Sequence, residues 1–254
     1  MSVIGVVSMK GGVGKTSTTA NLAAAIASKL GPGRVSVVDL DPQNALHWHF
    51  GVEPATTAGI CEQSVHGGDW RHVASASEFG VACLPYGSAT EADREAFEAM
   101  LAQAPGFVGE RLKSAGLDND ALVLIDTPPG PSIYLKQVFA CADLVLILLL
   151  ADAASYATIP AMEAWLDDVL VSHPPRGTVY VLNQVDSRET LNRDVAELLH
   201  KKLGTRLASV RIHYDEAVRE ALAFQQPVLV YDPHGQASHD LARLAAWAIS
   251  TLNQ

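Results

Sequence analysis

Residues Ser8–Thr19, SMKGGVGKTSTT, constrain this chain more than any other stretch. An apolar run, SVIGVVS (Ser2–Ser8), leads into them, and an alanine-rich run opens at Lys15-Thr16. Strand, glycine loop and helix in immediate succession make a tight turn. Glycines there let backbone N–H groups converge, and the helix start adds positive potential. Two lysines, Lys10 and Lys15, share that loop. A loop built to hold phosphate needs one of them, so the second requires its own explanation.

The rest of the chain repeats the strand-then-helix alternation. Ser2–Ser8, Arg34–Leu40, Gly80–Pro85, Ala121–Asp126, Leu144–Leu150, Thr178–Asn183 and Arg206–Ile212 read as strands. They are nearly continuous in apolar residues, as strands buried on both faces are. Helices are expected over Thr16–Leu30, about Glu91–Ala115, Pro160–Val171, Thr190–Leu203 and from about Ser238 onward. The pattern predicts an α/β fold with a mostly parallel central sheet and helices on both faces. Ligands in such sheets sit at the carboxyl ends of strands. Gly51–Gly80 is the least regular part, with a short helical piece at Thr57–Val65. The 254 residues, 48% hydrophobic, suffice for one large α/β domain spanning 1–254, and a split into two is not required.

Net charge is −10, and from Pro160 onward nine Lys and Arg face twelve Asp and Glu, which argues against nucleic acid as a direct ligand. Cys61, Cys83 and Cys141 lie far apart without ligand spacing, so reduced, mostly buried thiols in a cytosolic protein are expected. His47 and His49 lack further ligands and read as incidental loop histidines. The first apolar run has no basic start, so no secretory leader is expected. LVLILLLA (Leu144–Ala151) is too short to span a bilayer and fits a central strand.

In the glycine loop, Gly11, Gly12, Val13 and Gly14 would cradle phosphate with their backbone. Lys15 would reach the β- and γ-phosphates, and Thr16, followed by Ser17, would bring its hydroxyl to Mg²⁺. The usual pattern G-x-x-x-x-G-K-[ST] has Met9 in place of its first glycine here. VVDLDPQNA puts Asp39 and Asp41 one residue apart at a strand end, where both can face one site. ALVLIDTPPG ends its strand on Asp126, where a carboxylate contacts Mg²⁺ directly or through water. VLNQVD (Val181–Asp186) ends a later strand.

The motif KGGVGKT resembles the deviant Walker A box of the MinD/ParA family of dimerising ATPases. The resemblance runs from about residue 2 to 252. It implies a homodimer with ATP sandwiched between subunits. Lys10 would cross to the partner's nucleotide, while Lys15 acts in its own subunit. D-x-D-P-Q matches Asp39, Asp41, Pro42 and Gln43, and implies that Asp41 orients the attacking water near the metal. Thr127-Pro128-Pro129-Gly130 would form a second switch, with the Gly130 N–H near the γ-phosphate. Asn183 would hydrogen-bond adenine. IHYDEAVREALAFQQPVLVYDP (Ile212–Pro233) resembles the segment covering the base, with His213 where the family usually carries proline. The implied activity is slow, Mg²⁺-dependent ATP hydrolysis by Lys10, Lys15 and Asp41.

Three further stretches, GGDWRHVA (Gly67–Ala74), CLPYGSAT (Cys83–Thr90) and HYDEAVREALAFQQPV (His213–Val228), are similar to the BcsQ branch of that family, which serves bacterial cellulose synthesis. That branch implies a cytoplasmic assembly switch recruited to the inner-membrane cellulose synthase through partners, the small companion BcsR and the regulatory BcsE. The alternative is a ParA-type partition ATPase, which needs a basic DNA-binding surface. A MinD-type ATPase needs a basic amphipathic C-terminal helix. Here the last helix carries Arg243 alone, and Leu241, Leu244, Ala245 and Ala248 read as a core-facing stripe. A reductase would need cysteines spaced to share a cluster, and a ligase would need a second substrate pocket.

Overall fold

The computed structural model describes residues 1–53, 58–116, 120–169 and 175–253. Seven strands form one sheet in the order β3-β4-β2-β5-β1-β6-β7: β1 Ser2–Val7, β2 Val35–Asp39, β3 Ser75–Ala76, β4 Val81–Leu84, β5 Leu122–Asp126, β6 Leu144–Leu150 and β7 Gly177–Asn183. All neighbours pair parallel except β3, a two-residue antiparallel edge on β4.

Alternate residues of the strands feed two cores. Val3 and Val7 of β1 join one face, packed by α2 (Ile60–Val65), α3 (Glu91–Gln103), α4 (Phe107–Ser114), α5 (Ile133–Cys141), α6 (Ala153–Val169) and α7 (Thr190–Leu203). Ile4 and Val6 join the other face, covered by α1 (Lys15–Leu30), α8 (Ala217–Ala223), α9 (Val228–Tyr231) and α10 (Gln236–Leu252). Leu241, Leu244, Ala245 and Ala248 face that second core as read from sequence. At Gly5 an added Cβ would sit 2.1 Å from Val138 Cγ1, so α5 lies directly on the central strand.

Several sequence expectations change. Arg206–Ile212 is not a strand; among the described residues it meets β7 through the bridge Leu207–Tyr180, and Val185 bridges to His213 just beyond it. Glu91–Ala115 is two helices, because Pro105 disfavours helical geometry at Ala104 and ends α3 there. The helix expected from Pro160 begins at Ala153, where the Asp152 carboxylate accepts from the Ser155 N–H, and Pro160 lies inside it. Its expected end at Val171, and the start at Thr57 of the short helical piece, lie outside the described residues. Helix α5 and edge strand β3 had no counterpart in the sequence reading. His47 and His49, read as loop histidines, are buried in a 3₁₀ turn, Leu46–Phe50. The three cysteines are free, Cys61 and Cys83 buried and Cys141 half-buried. Among the described residues no helix is long and apolar enough to cross a membrane.

Candidate functional site

Strand β1 lies between β5 and β6, so the loop after it opens at the middle of the sheet's carboxyl edge. Register places Asp39 of β2 directly beside Asp126 of β5. The loop closes on Gly14, whose φ of +85° suits glycine, and a Cβ there would meet Asn183 Nδ2 at 2.6 Å. Helix α1 begins immediately afterwards with no side-chain cap and no acidic residue in its first turn. Its first N–H groups and positive end are therefore presented to the loop.

The two lysines part company. Lys15 is 7% exposed and donates to Ser8 Oγ at 3.1 Å, and Ser8 Oγ in turn donates to Lys10 O at 2.7 Å. Burial lowers the Lys15 pKa, while the charges of Asp126 and Asp41 oppose that effect. Lys10 lies at the rim and donates to Asp152 Oδ2 at 2.7 Å. Burial pushes the Asp152 carboxyl up, but the bonds from Lys10 and Ser155 outweigh it, and the group lies below its ordinary value.

Thr16 Oγ1 donates to Asp126 Oδ2 at 2.6 Å, and Thr19 Oγ1 reaches Asp126 Oδ1 at 3.4 Å. Burial raises the Asp126 pKa to about 7, against the lowering effects of Thr16 and Lys15. Asp39 is fully buried and raised well above its usual value, by burial first and by Asp126 second. Its two oxygens accept from the Asp41 and Leu46 N–H groups at 2.9 and 3.0 Å. It thus shapes the turn carrying Asp41, whose own Oδ1 accepts from the Gln43 N–H at 2.9 Å. Thr16, Asp126 and Asp41 offer oxygen donors only, and Asp39 sets a second buried carboxyl beside Asp126. That set suits a hard divalent cation such as Mg²⁺. Among the described residues no cluster of three His, Cys, Asp or Glu side chains could by itself hold a metal ion.

The Gly130 N–H donates to Ser8 O at 3.0 Å, so the turn Thr127-Pro128-Pro129-Gly130 is docked against the glycine loop. Asn183 Nδ2 donates to Val13 O at 2.7 Å and lies 3.4 Å from Thr18 Oγ1, which ties β7 to the loop. Beside them opens a cavity of about 150 Å³, lined by Gly14, Ser17, Asn183, Ile212 and His213 among others. The expected base-side residues are therefore brought next to the phosphate loop.

Some site residues were missed in the sequence. Ser8 and Asp152 orient the two lysines, Thr19 supports Asp126, and Asp240 holds His213. Asp152 had a legible signal, since it follows directly on the run Leu144–Ala151 and so stands at the carboxyl end of a strand. Asp240 had none, because its partner is 27 residues away.

The family model described as "Cellulose biosynthesis protein BcsQ" matches residues 1–249. Cellulose biosynthesis protein BcsQ of Salmonella typhimurium is 28% identical over 252 residues, covering 98% of this chain and 94% of that protein. The chromosome-partitioning ATPase Soj of Thermus thermophilus is 30% identical over 250 residues, covering 95% and 93%. Among solved structures, cobyrinic acid a,c-diamide synthase from Mycobacterium smegmatis, with bound ATP analogue and magnesium, superposes with a TM-score of 0.79 at 22% identity, covering 100% of this chain and 96% of that one. MinD from Pyrococcus horikoshii, complexed with Mg-ADP, gives 0.75 at 21%, covering 97% and 95%. At these identities the structures bear on the fold alone, which is of the MinD type.

Proposed function

The chain belongs to the BcsQ family of cellulose biosynthesis proteins, a MinD/ParA-type ATPase lineage, and on that premise we propose that it is an ATP-dependent dimerisation switch in the assembly of a cellulose-synthesising complex. The observation that carries the reading is the split between the loop lysines. Lys15 is buried and aimed into the loop, whereas Lys10 stands at the rim on a partly exposed ion pair that it can leave.

In this reading Lys15 and the loop N–H groups bind the phosphates, and Lys10 reaches the nucleotide of a second copy. Thr16, Asp126 and Asp41 would hold Mg²⁺, which would supply charge neutralisation on the triphosphate. Asp41, set by Asp39, orients the attacking water. Gly130 leaves Ser8 O to meet the γ-phosphate. Hydrolysis is slow and resets the dimer. BcsR and BcsE are the proposed partners, membrane contact runs through them, and the residues 1–254 act as one domain.

Similarity to Soj supports a second reading, a partition ATPase. One experiment separates the two. Tagged Asp41→Ala protein, which holds the ATP state, is purified from its source with Lys15→Ala as the nucleotide-free control. Cellulose synthase components enriched only with Asp41→Ala support the switch. A centromere-binding protein, together with DNA that dissociates steeply with salt, makes the protein a partition ATPase instead.

A further inference from the structure

The wall of the cavity beside the glycine loop has its main chain already engaged. The Ile212 N–H donates to Leu182 O at 2.9 Å, and Ile212 O accepts from the Val185 N–H at 3.0 Å. The Tyr214 N–H donates to Val185 O at 3.1 Å, and the His213 N–H to Asp240 Oδ2 at 2.9 Å. No N–H from 212 to 214 is left to donate to a base.

His213 Nδ1 lies 2.7 Å from the same Asp240 Oδ2. The Asp240 side chain is only 2% exposed, and its Oδ1 accepts from Gln236 Nε2 at 3.0 Å. This geometry suits Nδ1–H donating to the carboxylate. Neutral imidazole then presents a lone pair at Nε2. Nε2 has no protein partner among the described residues, and His213 lines the cavity with 29% of its side chain exposed. Asn183 adds a second acceptor, because its amide N–H groups point to Val13 O and Thr18 Oγ1. Among the other polar side chains of the wall, Asp215 accepts from the Ala217 and Ala237 N–H groups, and Tyr214 and Arg219 turn to Glu216, while Ser17 and Gln184 lie on the glycine-loop side.

We infer that His213, fixed by Asp240, determines the base specificity of this pocket, its Nε2 accepting a hydrogen bond from the 6-amino group of adenine. The inference rests on the nucleotide reading of the site. Adenine brings a donor at position 6, whereas hypoxanthine and guanine bring a carbonyl that meets the lone pair unfavourably. Asp240 is a positioning residue: without its charge the ring is free to change tautomer and present a donor instead.

The test measures dissociation constants of ATP, ITP and 2′-deoxy-ATP by titration calorimetry with Mg²⁺. Wild type is compared with His213→Phe, His213→Gln and Asp240→Asn, each checked for a native unfolding transition. His213→Phe is expected to shrink the preference for ATP over ITP by roughly three- to tenfold, the worth of one hydrogen bond. His213→Gln, whose carboxamide oxygen can accept, restores part of it. Asp240→Asn moves the ratio the same way with ITP binding retained. An unaltered ATP-to-ITP ratio in a folded His213→Phe overturns the inference while leaving ATP binding intact. A loss in His213→Phe that falls equally on ATP and ITP and spares 2′-deoxy-ATP overturns it too, by assigning the acceptor to the ribose 2′-hydroxyl. Wild type that binds no nucleotide at all overturns the functional reading along with it.

Discussion

Replacing Asp152 by Asn tests whether the rim ion pair restrains dimer formation. The Lys10 ammonium must leave Asp152 before it can reach a nucleotide held by another copy. The pair is 2.7 Å long, with side chains 33% and 38% exposed. Solvent screens it, so its release costs about 0.5–1 kcal/mol. A two-fold dimer releases two such pairs, which doubles the figure to about 1–2 kcal/mol. Removing it is expected to tighten the ATP-dependent dimer about five- to thirtyfold. Asn keeps an oxygen for the Ser155 N–H, so the start of α6 is preserved. Sedimentation equilibrium with a non-hydrolysable ATP analogue reads the effect directly. The gain should fade with added salt and vanish in a Lys10→Ala background. A dimer that is unchanged or weakened in Asp152→Asn would refute the reasoning, because Lys10 would then not exchange one carboxylate for a partner's phosphates.

Other outcomes follow from the same geometry. Lys15→Ala should abolish ATP binding in a calorimetric titration; retained micromolar affinity contradicts the phosphate-loop assignment. Gly5→Ala forces a Cβ against Val138, and overpacking of this kind costs about 1–3 kcal/mol, to be read as a lower urea midpoint with an unchanged slope. Burial lowers the His49 pKa to about 4 from an ordinary 6.5. The folded state therefore refuses a proton that the unfolded state takes below about pH 6.5. Its contribution is intact above that pH and is lost as pH falls toward 4, by about 3 kcal/mol in all. Urea unfolding of His49→Leu should show a shallower decline between pH 7 and 4.5 than wild type, and parallel declines would count against it.

Much of this architecture could be read because the central strands are unbroken apolar runs that end on functional residues. Asp39, Asp126 and Asn183 each close such a run, so strand and site were found together. Where that pairing of signals fails, the sequence misled. Arg206–Ile212 has the composition of a strand, but it runs beside β7 and meets it only at isolated points, through the Ala208 and Ile212 N–H groups and the bridge at Leu207, without a continuous ladder. Helix α5 is apolar on several sides, with Tyr134, Leu135, Val138 and Phe139 all buried, so it shows no polar stripe to mark its period. Pro160 suggested a first turn, yet capping by Asp152 starts the helix seven residues earlier. The place of Asp152 at a strand end could be read, but its pairing with Lys10, and the position of Asp240 opposite His213, are tertiary facts.

The tie from Asn183 to Val13 spans 170 residues of chain. Strand β1, which carries the glycine loop, finds its neighbours only in β5 and β6. On a ribosome the loop is made first and framed last. At about 5–20 residues per second it waits on the order of ten seconds or more for Asn183 to emerge. A nascent chain interrupted before β7 would carry the whole phosphate motif and still lack the brace that shapes it. Nucleotide binding would then serve as a check that synthesis has passed that point.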